Sequence, residues 1–233
     1  MNTLAVLAAA FLSGVVGTGL GGLIGVIFPK VSELTLRKLL SATAGLMLSI
    51  VCVELLPESM HHSVLWSCLG LVAGVVMMLL LSPLMREDND KQRTGKLVGA
   101  GIALHNFPEG LAIGAGMAGS GLLGISLLLT IALHDIPEGM AMAIPLREGG
   151  SGRKKAVMAA VISGVPMVLG ALVGVLIGGV GDSALAFSLA LAGGAMLQVT
   201  CCQLIPESAD KNTGSFLMYG ILFGTAVCFF LHV

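Results

Sequence analysis

Every Lys and Arg in this 233-residue chain falls in or beside one of four short connections, and these alternate with connections that hold none. The apolar segments between them lie at about 3–28, 39–57, 63–84, 97–118, 123–146, 156–179, 184–206 and 216–233. A helix needs about 20 apolar residues to cross the hydrocarbon of a bilayer. Lys30, Arg37 and Lys38 belong to the first connection, and Arg86, Lys91, Arg93 and Lys96 to the third. Arg147, Arg153, Lys154 and Lys155 belong to the fifth, and Lys211 to the seventh, which accounts for all 12 basic residues. An incorrect span count would scatter these charges over both sides. The pattern predicts eight crossings, with the basic connections in the cytoplasm and both termini outside.

Composition agrees. The chain is 56% hydrophobic and 11% charged, against roughly 25% charged in a soluble domain. It cannot cover a water-facing surface, so residues 1–233 read as one all-α polytopic membrane domain. Long apolar runs without period-two alternation argue against strands. No basic residue precedes the first segment, which reads as a retained span rather than a cleaved leader. The few scattered basic residues and 4% aromatics give no sign of a nucleic-acid partner. Cys52, Cys68, Cys201, Cys202 and Cys228 lie in apolar segments without a CxxC spacing and read as small buried hydrophobes. Gly17/Gly21, Gly110/Gly114, Gly170/Gly174, Gly174/Gly178 and Gly220/Gly224 have the spacing of close helix packing. Trp66 and Tyr219, near span ends, suit the membrane interface.

Two internal repeats stand out. Residues 102–110 match 131–139 at 7 of 9 positions, and 45–59 match 194–208 at 8 of 15. The members of each pair lie an odd number of spans apart and run in opposite directions. This is the pattern of inverted repeats, which in transporters flank a site at mid-membrane depth.

The first repeat carries the chemistry. His105-Asn106-Phe107-Pro108-Glu109-Gly110 and His134-Asp135-Ile136-Pro137-Glu138-Gly139 are each centred in an apolar span. His and Glu four residues apart share a helix face. Pro108 and Pro137 withhold a hydrogen bond from the carbonyls of Leu104 and Leu133, so both helices are expected to break at mid-depth. Glu109, Asp135 and Glu138 total −3 formally, a charge that lipid does not tolerate uncompensated. One divalent ion brings the site to −1, and two bring it to +1. Imidazole with carboxylate suits zinc, ferrous iron, cobalt, manganese or cadmium better than magnesium or calcium. Metal entry at such ligands displaces protons.

These strings resemble the paired signatures of the ZIP (Zrt/Irt-like) divalent metal transporters, particularly bacterial, broad-specificity members. The resemblance extends to the eight spans, the outward termini and the repeats. It implies a bundle that carries zinc, iron or similar ions into the cytoplasm. His105, Glu109, His134 and Glu138 would be the main ligands. Asn106 and Asp135 would face an adjacent second position, sharing Glu109 and Glu138. Many members have a Glu in the sixth span where this chain has Met167, so the second position loses a carboxylate. The family's His-rich cytoplasmic loop is absent from the third connection, where Glu87, Asp88 and Asp90 sit among basic residues.

Other polar groups are candidates for the ion path. Glu54 and Gln203 occupy matching repeat positions. Glu58, His61 and His62 stand at the expected entrance, and Glu207 and Asp210 at the expected exit. The expected partners are metal ions and the bilayer, with a second copy of the chain as a further candidate; no catalytic cofactor is expected. An intramembrane metal-dependent hydrolase using the same ligands is the alternative. HExxH is absent, and no obvious general base stands outside the ligand set.

Overall fold

The computed structural model describes residues 2–28, 32–81, 91–119 and 121–232, which are helical almost throughout and contain no strand. The helical stretches are α1 (Thr3–Ile27), α2 (Glu33–His62), α3 (Val64–Leu81), α4 (Lys91–Gly119), α5 (Gly121–Glu148), α6 (Arg153–Gly178), α7 (Asp182–Ser208) and α8 (Gly214–His232). In hydrocarbon every backbone N–H and C=O must be satisfied within its own segment, and a helix does this. Six of the stretches are long and apolar enough to cross a membrane by length and composition, and an apolar part of α8, Gly214–Phe230, is shorter. The third-connection residues Arg86, Glu87, Asp88 and Asp90, together with Lys30 and residues 82–84, lie outside the described residues.

Local chemistry sets the ends. The Asn2 side chain accepts the Leu4 N–H at 3.0 Å and caps α1. Ser32 Oγ accepts the Thr35 N–H at 3.1 Å and caps α2, with Glu33 favourably placed in the first turn. α2 therefore begins well before its apolar segment and continues past Pro57 to His62. Gly150, at φ +89°, turns the chain out of α5.

Wider π-turns interrupt α1 at Phe11–Val16, α2 at Ile50–Leu55 and α7 at Thr200–Leu204. In α2 and α7 they directly precede Pro57 and Pro206, and the extra residue in the turn absorbs the bond that proline cannot make. In α6 the same problem, at Pro166, is met by a turn at Gly164 between Arg153–Ser163 and Val165–Gly178. The breaks expected in α4 and α5 do not form. Each runs as one α-helix, through Pro108 in α4 and through Pro137 and Pro145 in α5. Each internal proline still forgoes one backbone hydrogen bond.

The helices sort into two bundles. In one, α4 lies along α6, α5 along α1, and α4 and α5 face each other. In the other, α7 lies along α3, and α2 lies along α8. The bundles meet where α4 touches α7 and α5 touches α2. Each of the five glycine pairs lies at a helix contact. Two cases show why. A Cβ on Gly21 would collide with the Ile136 carbonyl of α5, and a Cβ on Gly110 would collide with the Met167 carbonyl of α6. These glycines let α1 and α6 press against the backbones of α5 and α4.

The expectation for the cysteines fails at four positions. Cys228 is buried, but Cys52, Cys68, Cys201 and Cys202 are exposed on the protein surface. Lipid tails are as apolar as a protein core, so nothing drives a small hydrophobe inward within the membrane. Trp66 and Tyr219 are also exposed, each edge-on to a neighbouring ring, Phe187 and Phe216 respectively.

Candidate metal centre

His105 is the middle residue of Lys91–Gly119, about 21 Å from either end at 1.5 Å per residue. His134 lies within one residue of the middle of Gly121–Glu148. The two hexamers therefore meet at the same depth on facing helices.

Their side chains cross-pair. His105 Nε2 of α4 is 2.8 Å from Glu138 Oε2 of α5, and His134 Nε2 of α5 is 3.0 Å from Glu109 Oε1 of α4. His134 Nε2 is also 3.9 Å from Asp135 Oδ1. The i, i+4 spacing puts His and Glu of one helix on the same face, and the antiparallel neighbour supplies the reciprocal pair. All six residues are buried, with His105 the most accessible at 3%. Donor atoms of Glu109, His134 and Asp135 lie within 4.8 Å of one another.

Several buried acceptors here receive no hydrogen bond among the described residues: Asn106 Oδ1, Glu109 Oε2, Asp135 Oδ1 and Glu138 Oε1. A buried acceptor left unsatisfied costs about 1–3 kcal/mol, and more when charged. Two of the four belong to Glu109 and Asp135, whose donor atoms approach His134, and a cation beside them would remove that deficit. The Asn106 amide is oriented for this purpose. Its Nδ2 donates to the Ser163 carbonyl at 2.8 Å. A carbonyl can only accept, so Oδ1 is left as the free end.

Met167 is fully buried on α6, behind Gly110 and against Gly14. The remaining path candidates lie on α2, on α7 and in the turn before α8. Glu54 is buried in the other bundle, where its Oε2 accepts from Cys228 Sγ at 3.3 Å. Gln203 is half-buried in the π-turn of α7. His62 bridges Glu58 Oε1 at 3.5 Å and Asp182 Oδ1 at 3.1 Å, while His61 is exposed beside it. Glu207 and Asp210 are exposed, and Asp210 Oδ1 accepts the Asn212 N–H at 2.9 Å, which stiffens the turn before α8.

Two contributors escaped the sequence reading. They are the Ser163 carbonyl and Ser13, whose Oγ is 3.4 Å from Asp135 Oδ2. A lone Ser in an apolar span carries no motif, and backbone carbonyls carry no sequence signal at all.

Residues 89–232 match the family model described as ZIP zinc transporter. The chain belongs to the ZIP family. Similar ZIP proteins include the zinc transporter ZupT of Corynebacterium glutamicum, 30% identical over 240 residues that cover 90% of this chain and 91% of that protein. ZupT of Shigella dysenteriae is 29% identical over 90% of this chain and 89% of its own length. The zinc transporter GufA of Myxococcus xanthus is 40% identical over 52% of this chain and 50% of its own. The expected family resemblance and the all-helical, multi-pass membrane architecture are borne out.

Proposed function

We propose that this ZIP protein moves divalent transition-metal ions, zinc foremost, across the cell membrane into the cytoplasm by alternating access. Iron, manganese, cobalt and cadmium suit the same donors. His105, Glu109, His134 and Glu138 are the main ligands, and Asn106 and Asp135 belong to an adjacent second position. The observation that carries this reading is the mutual approach of Glu109, His134 and Asp135 donor atoms at mid-span, fully buried.

An entering ion exchanges water for imidazole and carboxylate, and the two His–Glu pairs open as it does so. Every ligand belongs to the α1/α4/α5/α6 bundle. A displacement of that bundle against α2, α3, α7 and α8 would carry the ion with it. The matched packing of α4 on α6 with α5 on α1, and of α7 on α3 with α2 on α8, supports an inverted repeat relating the two halves. Each divalent ion moving inward gains about 4.6 kcal/mol per 100 mV. The basic connections support outward termini, and residues 1–233 act as one transporter domain. A hydrolase using these ligands would need a base beyond them, and none is apparent among the described residues.

The test is uptake of zinc and cadmium by purified protein in liposomes. Flux that saturates and falls to background in Glu138→Ala supports the proposal. Absence of flux, or cleavage of a lipid or peptide instead, overturns it.

A further inference from the structure

α1 has no part in the two hexamers, yet it forms a wall of their site. Its π-turn, Phe11–Val16, lies beside Asp135, and π-turns of this kind recur at functional sites. Gly17 brings α1 within van der Waals reach of Asp135, since a Cβ there would come within 2.9 Å of the Asp135 Cβ. Ser13 sits in the turn, 1% exposed. Its hydroxyl has two acceptors in range: Asp135 Oδ2 at 3.4 Å and the Leu128 carbonyl at 3.5 Å. One proton cannot serve both, and in a buried site the carboxylate is the stronger acceptor.

We propose that Ser13 is a positioning residue for metal binding: it holds Asp135 Oδ2 from α1 and leaves Oδ1 directed at the ion. This rests on the function proposed above. The two groups of the second position are then fixed by neighbours outside the hexamers. The Ser163 carbonyl of α6 turns the Asn106 amide, and the Ser13 hydroxyl of α1 turns the Asp135 carboxylate. Both leave one oxygen without a hydrogen bond, Asn106 Oδ1 and Asp135 Oδ1. Glu109 and Glu138 are shared with the main position, so Asp135 is the carboxylate that belongs to the second position alone. Its orientation therefore governs affinity.

Equilibrium zinc binding to the purified full-length chain in detergent tests this, with transport in liposomes as a second readout. Ser13→Ala is expected to weaken zinc binding and raise the transport KM about tenfold, with maximal rate within about twofold, the size expected for one hydrogen bond to a charged group. Ser13→Thr, which keeps the hydroxyl, should restore most of the affinity. In an Asp135→Asn background, Ser13→Ala should add less than about a twofold change. Wild-type zinc binding with an unaltered constant in Ser13→Ala overturns this inference and leaves the metal site standing. A loss of maximal rate alone, without change in KM or affinity, marks Ser13 as merely structural and also overturns it. Failure of the wild-type chain to bind zinc overturns both proposals.

Discussion

The two bundles use the same construction and place their polar groups differently. Both are held by glycines that admit a neighbour's backbone: Gly21 and Gly110 in one, Gly45 and Gly74 in the other. Both contain π-turns. In the α2/α3/α7/α8 bundle, several polar side chains near the helix ends have partners, although the mid-helix Gln198 Oε1 is buried without a hydrogen bond among the described residues. Arg37 donates to the Ala209 carbonyl at 3.1 Å, Ser41 to the Thr213 carbonyl at 2.9 Å, and Ser59 to the Ala186 carbonyl at 2.9 Å. Ser59 also bonds Ser67. In the α1/α4/α5/α6 bundle they are gathered at the centre, and several acceptors have no donor. The first arrangement fastens helices together. The second leaves buried acceptors unsatisfied, a deficit that the proposed cation would offset.

Substitutions can break or sharpen this contrast. The largest effect is expected from Glu138→Ala, which removes a proposed main ligand and half of a His–Glu pair. Metal uptake should fall at least about 100-fold while the protein still folds. Wild-type flux in that variant would erase the distinction between the bundles. Next comes Gly21→Val, which forces a side chain into the Ile136 carbonyl. It should cost about 1–3 kcal/mol or more in a thermal melt, as overpacking does. An unchanged melting temperature would mean that α1 does not press on α5.

Met167→Glu sharpens the contrast by adding a carboxylate to the working bundle. It should tighten a second zinc equivalent about tenfold in a titration; unchanged stoichiometry and affinity would show that Met167 does not limit the second position. The smallest effect is expected from Glu54→Gln. This residue is buried and charged by type, but it lies in the bundle assigned to framework and bonds to Cys228. Uptake should stay within about threefold of wild type. A loss as large as that in Glu138→Ala would move Glu54 into the ion path and dissolve the division.

The spans were legible because apolar runs of membrane length leave the backbone only one way to satisfy itself. The paired His and Glu residues were legible because i, i+4 His and Glu must share a face and because charge at mid-span demands a reason. The continuity of α4 and α5 was not. A proline reports the bond it cannot make, whereas the close approaches of Gly110 to Met167 and of Gly21 to Ile136 depend on distant segments. The four exposed cysteines were misread because burial follows polarity only where the alternative is water.

The sequence alone determined that the chain is a multi-pass membrane protein and which polar residues stand midway along its helices, since each follows from composition and helical period along one segment. The tertiary structure alone decided that His105 pairs with Glu138 and His134 with Glu109, that Ser163 turns Asn106, and that α1 reaches Asp135 through Ser13. Those pairings depend on the relative height and rotation of separate helices. Contacts spread over the whole bundle set that register, and no local stretch of chain encodes it.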